Sequence, residues 1–136
     1  MKYFVPFCLA LLISLQVRAQ VPAAFSYQAV ARDTTGHVLP NQEMTVEISI
    51  IREEITGPVI YAETHQTMSN ASGLIRLEIG RGAAVSRSFT EINWADGPYY
   101  LQTGIDINNS GHIRNLGTTE LLSVPFAMYS ASYGLQ

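Results

Sequence analysis

Cysteine and lysine are almost missing from this 136-residue chain: one of each, Cys8 and Lys2, both within the first eight residues. No long apolar run follows residue 17. The one such run, Tyr3 to Val17, is shorter than the roughly 20 residues needed to cross a bilayer and holds Pro6. With Lys2 before it and Arg18-Ala19 after it, this is the pattern of a cleavable export signal, with the cut expected after Ala19. Removing residues 1–19 would take the cysteine, the lysine and Arg18 away together. Disulfides, thiolate metal ligands and a cysteine nucleophile are then excluded. Cys8, preceded by Val5-Pro6-Phe7, lacks the neighbours of a lipid-attachment site. Six arginines remain against 11 carboxylates, a net charge of about −5. That sign disfavours nucleic acid and anionic lipid as partners, and no membrane insertion is expected after cleavage.

What is present alternates with a period of two. From Met44 to Ile50 every even position is apolar and every odd one polar, a half-buried strand. Similar runs lie at Phe25–Ala31, Val59–Gln66, Ile75–Ile79, Tyr99–Ile107, about His112–Leu116 and Glu120–Val124. Turn-forming residues separate them: Asp33 to Gly36, Thr56-Gly57-Pro58, Asn70 to Gly73, Gly80-Arg81-Gly82 and Asn108 to Gly111. Short turns around the second, third and fourth strands predict an antiparallel meander. Ser88 and Glu91 form a capping box for one short helical turn near 88–94, which would set Phe89, Ile92 and Trp94 as an apolar plug. The expected fold is all-β: an antiparallel β-sandwich of about seven strands, immunoglobulin-like or transthyretin-like. The expected layout is a signal peptide (1–19), a sandwich domain (20–125) and a C-terminal tail (126–136).

Asp106, Asn108 and Ser110, followed by Gly111, have the spacing of the first half of a calcium loop. Position twelve is Gly117 where a glutamate is required, so a hairpin turn is the preferred reading and no metal is expected. His37, His65 and His112 are read as three isolated surface histidines, although His65 shares a strand face with Glu63. No Gly-x-Ser-x-Gly elbow occurs and no acid pair stands out, so no catalytic residue and no cofactor is assigned. Tyr99 and Tyr100 are candidates for stacking on sugar rings, whereas Trp94 is assigned to the core. Asn70-Ala71-Ser72 matches an N-glycosylation sequon.

Several segments in fixed order carry a resemblance. They are Phe25 to Arg32 (FSYQAVAR), Gly36 to Leu39, Gly73 to Gly80 (GLIRLEIG), Ile92 to Trp94, Pro98 to Leu101, and Leu121 to Ala127 (LLSVPFA) with Tyr129. Together they resemble the N-terminal β-sandwich module of secreted Bacteroidetes-type tail-fibre-like or collagen-like surface proteins. The resemblance implies a non-enzymatic secreted or cell-surface structural module, and it brings no catalytic residues. It also implies that Asp33-Thr34-Thr35 is a candidate O-glycosylation site at Thr34, though the same residues make a turn. Because the sequence stops at Gln136 before any fibrous region, both a solitary module and a truncated larger protein stay open. Expected partners are other surface or secreted proteins, or further copies, contacted through strand edges and the tail residues Phe126, Met128, Tyr129 and Tyr133. A small glycan-binding domain is the alternative. A secreted hydrolase is the third reading, kept because acids distant in sequence can converge in space.

Overall fold

The computed structural model describes residues 24–122. They form seven strands: β1 (Phe25–Val30), β2 (Glu43–Arg52), β3 (Val59–Met68), β4 (Leu74–Ile79), β5 (Ala83–Ala84), β6 (Tyr99–Ile107) and β7 (Arg114–Glu120). Every pairing is antiparallel. Five strands make the larger sheet in the order β5-β3-β2-β6-β7, and β1 pairs with β4 in a second, two-stranded sheet. The all-β sandwich is therefore present. Among the described residues its strands divide five and two, against the four and three of an immunoglobulin constant domain.

The alternation along each strand explains the layering. Val46, Ile48 and Ile50 of β2 stand opposite Ile105, Thr103 and Leu101 of β6, so one side chain in two from both strands points to the same face. Met44, Val46, Ile48 and Ile50 are buried, as are Leu101 and Ile105. From the facing sheet, Ile75, Leu77 and Ile79 of β4 complete the core. At one end it is closed by the expected plug. Single 3-10 turns at Phe89–Glu91 and Trp94–Asp96 seat Phe89 and Trp94 among Phe25, Tyr61 and Tyr99. Neighbouring rings in this cluster lie 5.3–6.4 Å apart at tilted or edge-on angles, the arrangement aromatic quadrupoles favour.

Two expectations need correction. The meander ends after the β2–β3 hairpin, because β4 crosses to the other sheet and pairs with β1 in the register Phe25↔Ile79 to Val30↔Leu74. The residues between β3 and β4 are built for that crossing. The buried Ser69 hydroxyl donates to the Leu39 carbonyl and accepts from the Gln42 N–H, while Asn70 Oδ1 accepts from the N–H groups of Ser72 and Leu74. A period of two is the same for a hairpin and for a strand that changes sheet, so alternation could not separate them. The second correction is at the C-terminal side. The strand expected near His112–Leu116 is β7, which runs from Arg114 to Glu120. Of the further strand expected at Glu120–Val124, Leu121 and Leu122 are not in a strand and residues 123–124 lie outside the described residues, while the two-residue β5 is not among the expected strands.

Ile48 is wholly buried at the centre of β2, between β3 and β6. Ile48→Ala should lower stability by about 2–5 kcal/mol in denaturant titration, whereas Ile55→Ala, at an exposed loop position, should stay within about 0.5 kcal/mol.

Candidate functional site

The most built polar group in the molecule lies in the core. Glu63 is 0% exposed and stands on the inward face of β3, opposite Ile48. Its neighbours on that face are Tyr61 and His65, two residues to either side. The Tyr61 hydroxyl donates to Oε2 at 2.6 Å and His65 Nε2 meets Oε1 at 2.7 Å. A carboxylate only accepts, so that imidazole nitrogen carries the proton. The chain then arrives from the other sheet. Leaving β4, the Gly80 N–H donates to both oxygens at 3.0 Å, and the Gly82 N–H donates to Oε2 at 3.2 Å. The phenol of Tyr61 is pushed well above the usual range, first by burial and then by its hydrogen bond to Glu63 and the charge there.

Both glycines of this loop have a geometric reason. Gly80 has φ of 101°, a conformation other residues rarely adopt. At Gly82 a Cβ would lie 2.7 Å from His65 Nε2, 2.8 Å from the Thr64 carbonyl oxygen and 3.0 Å from the Glu63 carboxyl carbon. The cluster thus fastens the β4–β5 loop onto β3 and joins the two sheets. Its oxygens are fully engaged by the protein, so it acts as a structural clasp. The reading of three isolated surface histidines is corrected here: the His65 side chain is 12% exposed and bound to Glu63. His37 and His112 are exposed. Sequence reasoning noted that Glu63 shares a strand face with His65 but gave the pair no role; the signal in the sequence was a carboxylate two residues from both Tyr61 and His65 on one strand face.

The loop of the weak calcium candidate closes on itself. Asp106 Oδ1 accepts from the Ser110 N–H (2.8 Å) and hydroxyl (2.7 Å), and Oδ2 accepts from the Gly111 N–H (2.8 Å). Asn108 and Asn109 both take positive φ, 59° and 51°, as a tight turn between strands requires. Their side-chain oxygens accept from Gln42 Nε2 and the Thr45 hydroxyl. The Ser110 hydroxyl, above all, holds the Asp106 carboxyl below its ordinary range, aided by the backbone donors. No group of three or more His, Cys, Asp or Glu side chains that could hold a metal ion occurs among the described residues.

Asp33 caps its own turn in the same way, accepting from the N–H and hydroxyl of Thr35 and the N–H of His37. Thr34 is exposed at the tip of that turn. Tyr99 is 3% exposed, packs edge-on to Trp94 and donates its hydroxyl to the Asn93 carbonyl, so its faces are not free to stack on a sugar. Burial raises its phenol pKa, with the nearby Asp96 charge adding to the effect. Tyr100 is half-buried on the opposite face of β6. Phe126, Met128, Tyr129, Tyr133 and the cut after Ala19 lie outside the described residues.

One cleft lies beside the plug. It holds about 140 Å³ and is lined by Arg52, Ile60, Arg87, Ser88, Glu91, Ile92, Asn93, Asp96 and Tyr99. Glu91 is already engaged there, accepting from the Ser88 N–H at 3.4 Å in the expected capping box. The volume falls well short of the roughly 300–1,000 Å³ of small-molecule sites.

Two outcomes are expected. Glu63→Gln turns a donor toward the glycine N–H groups and should cost about 3 kcal/mol in chemical denaturation; Gly82→Ala should also destabilise, through the contacts above. Asp106, with its folded pKa lowered, contributes stability above the ordinary aspartate range of about 4 and loses it as pH falls through the folded value. Melting curves across pH should therefore show Asp106→Asn less stable at neutral pH, with its deficit shrinking in acid.

A family model for a domain of unknown function (DUF8740) matches residues 26–131. No curated protein and no solved structure matches the chain. The family match takes in nearly all of β1, every later strand, the Glu63 clasp and the segment beyond β7, so the chain belongs to this domain family of unknown function.

Proposed function

We propose that the chain is a non-enzymatic structural or assembly module that works outside the cell or at its surface. The observation that carries this reading is where the polar chemistry goes. Both carboxylate oxygens of Glu63 and of Asp106 are filled by donors of the protein itself, Asp33 turns Oδ1 back on its own turn, and the 140 Å³ cleft is too small for a substrate. The features left available are edges. Strand β7 borders the larger sheet, and Ile113, Leu116 and Leu122 stand exposed along it and at its ends. An edge of that kind recruits another strand.

The ordered series of segments resembling secreted Bacteroidetes-type tail-fibre-like modules supports the same assignment, as does the export pattern of residues 1–19. The glycan-binding alternative loses Tyr99 to the core and keeps Tyr100 alone. Light scattering of residues 20–136 over a wide concentration range tests the proposal. Self-association, weakened by Leu116→Lys at the β7 edge with an unchanged melting temperature, is the expected result. A chain that stays monomeric at every concentration and hydrolyses glycoside or ester substrates would overturn it.

A further inference from the structure

Two kinds of irregularity meet at the cleft beside the plug. The first is in the backbone. Among the described residues five that are not glycine have positive φ; three are asparagines in turns, and the other two are Glu53 (φ 78°) and Arg87 (φ 30°). Asparagine enters the left-handed region readily, whereas a long side chain there is a strained exception, and such exceptions gather at binding and catalytic sites. Arg87 lines the cleft. Glu53 follows Arg52, another lining residue, and pairs with its guanidinium at 3.3 Å. The Glu53 N–H donates to the Pro98 carbonyl at 2.9 Å, which ties the end of β2 to the segment entering β6.

The second irregularity is a hydrogen-bond donor without an acceptor. Among the described residues one buried side-chain polar atom lacks a partner, and it is Arg52 Nε. Buried donors are nearly always paired, and a charged group raises the cost of leaving one bare. The guanidinium is not locked in place, since the side chain is 37% exposed and its Nη2 meets the exposed carboxylate of Glu53. It can turn its Nε side toward the cleft that it lines.

We propose that this cleft is a socket for one carboxylate group of a partner protein. The atom left over is a donor, so the group that completes it is an acceptor. A carboxylate takes Nε and one Nη of a guanidinium together, in two parallel hydrogen bonds. Arg87 brings a second positive charge to the same cleft, and Ile60 and Ile92 flank it with apolar surface for the carbons behind the carboxylate. About 140 Å³ admits a single side-chain head or a chain terminus and excludes a drug-sized ligand. Two acids line the cleft as well. Glu91 is engaged by the Ser88 N–H. Asp96 lies at the Tyr99 wall: beyond the burial that raises the Tyr99 phenol, Asp96 raises it further and Arg52 lowers it, so both charges face that ring. Asp96 therefore opposes an incoming carboxylate and sets an upper limit on affinity.

The socket deepens the reading of the chain as an assembly module, and rests on that reading for the kind of partner. Nitrogen-15 NMR of residues 20–136 follows the Arg52 and Arg87 Nε–H signals during titration with three probes: acetyl-Gly-Glu-Gly-amide, its glutamine counterpart, and acetyl-Gly-Gly with a free carboxyl terminus. The expected result is a shift of both signals, with at least about tenfold tighter binding of a carboxylate probe than of the glutamine peptide. Whichever carboxylate probe binds tighter tells a side chain from a chain terminus. Arg87→Gln should weaken that binding about tenfold with an unchanged melting temperature, and Asp96→Asn should tighten it. Equal responses to the glutamate and glutamine peptides would overturn the proposal, as would unshifted Arg52 and Arg87 signals at about 50 mM of every probe, whatever the variants do. Because the probes are short peptides and the readout sits at Arg52, failure here is separate from failure of self-association at the β7 edge.

Discussion

The Glu63 carboxylate has no exposure to water, and an ionised carboxylate left bare in such a place would cost several kcal/mol. Four donors meet it, and their origin gives the group its importance: two side chains from its own strand and two backbone amides from the turn that ends β4. Apolar packing between sheets is non-directional and would accept β4 shifted along its axis. Hydrogen bonds to one fixed carboxylate do not. The clasp therefore sets where β4 stops, and through the β4–β1 register it sets where β1 lies over the large sheet. Phe25 then meets Trp94 and Tyr27 meets Thr103, so the plug and the opposite flank both inherit that placement.

The rest of the polar architecture repeats one device on a smaller scale. Asp33, Asn70 and Asp106 each turn a short side chain back on the N–H groups that follow, replacing ladder hydrogen bonds with local ones at the points where the chain reverses or changes sheet. A sandwich without disulfides needs its turns pinned by some other means, and these acceptors supply it. The cost is chemical availability. Groups that would attract attention as metal ligands or catalytic acids in a list of residues are already occupied.

Much of the fold was legible because it depends on local periodicity. The inward sets of β2, β4 and β6 follow from alternation, and Ser88 with Glu91 announced the plug. The capping pair marked where Phe89 would turn inward, and the lone Trp94 followed it. What alternation could not supply was partner choice. Ile75, Leu77 and Ile79 read identically whether β4 neighbours β3 or faces it. Likewise, Tyr99 and Tyr100 are indistinguishable as adjacent aromatics until one knows which face of β6 is inside. The Glu63 cluster was hidden for a related reason. Two of its four donors are main-chain amides of glycines, which carry no side-chain signature, and they lie 17 and 19 residues away.

That dependence on main-chain donors has an evolutionary consequence. Core apolar positions such as Val46 or Ile75 can drift among aliphatic residues as long as volume is kept. The clasp has no comparable freedom, because a carboxylate of glutamate length must face two amides whose approach leaves no space for a Cβ at Gly82. Over long divergence the aliphatic record of common descent would blur first. Glu63 and the two glycines of the Gly80-Arg81-Gly82 loop would then be the marks by which distant relatives could still be known.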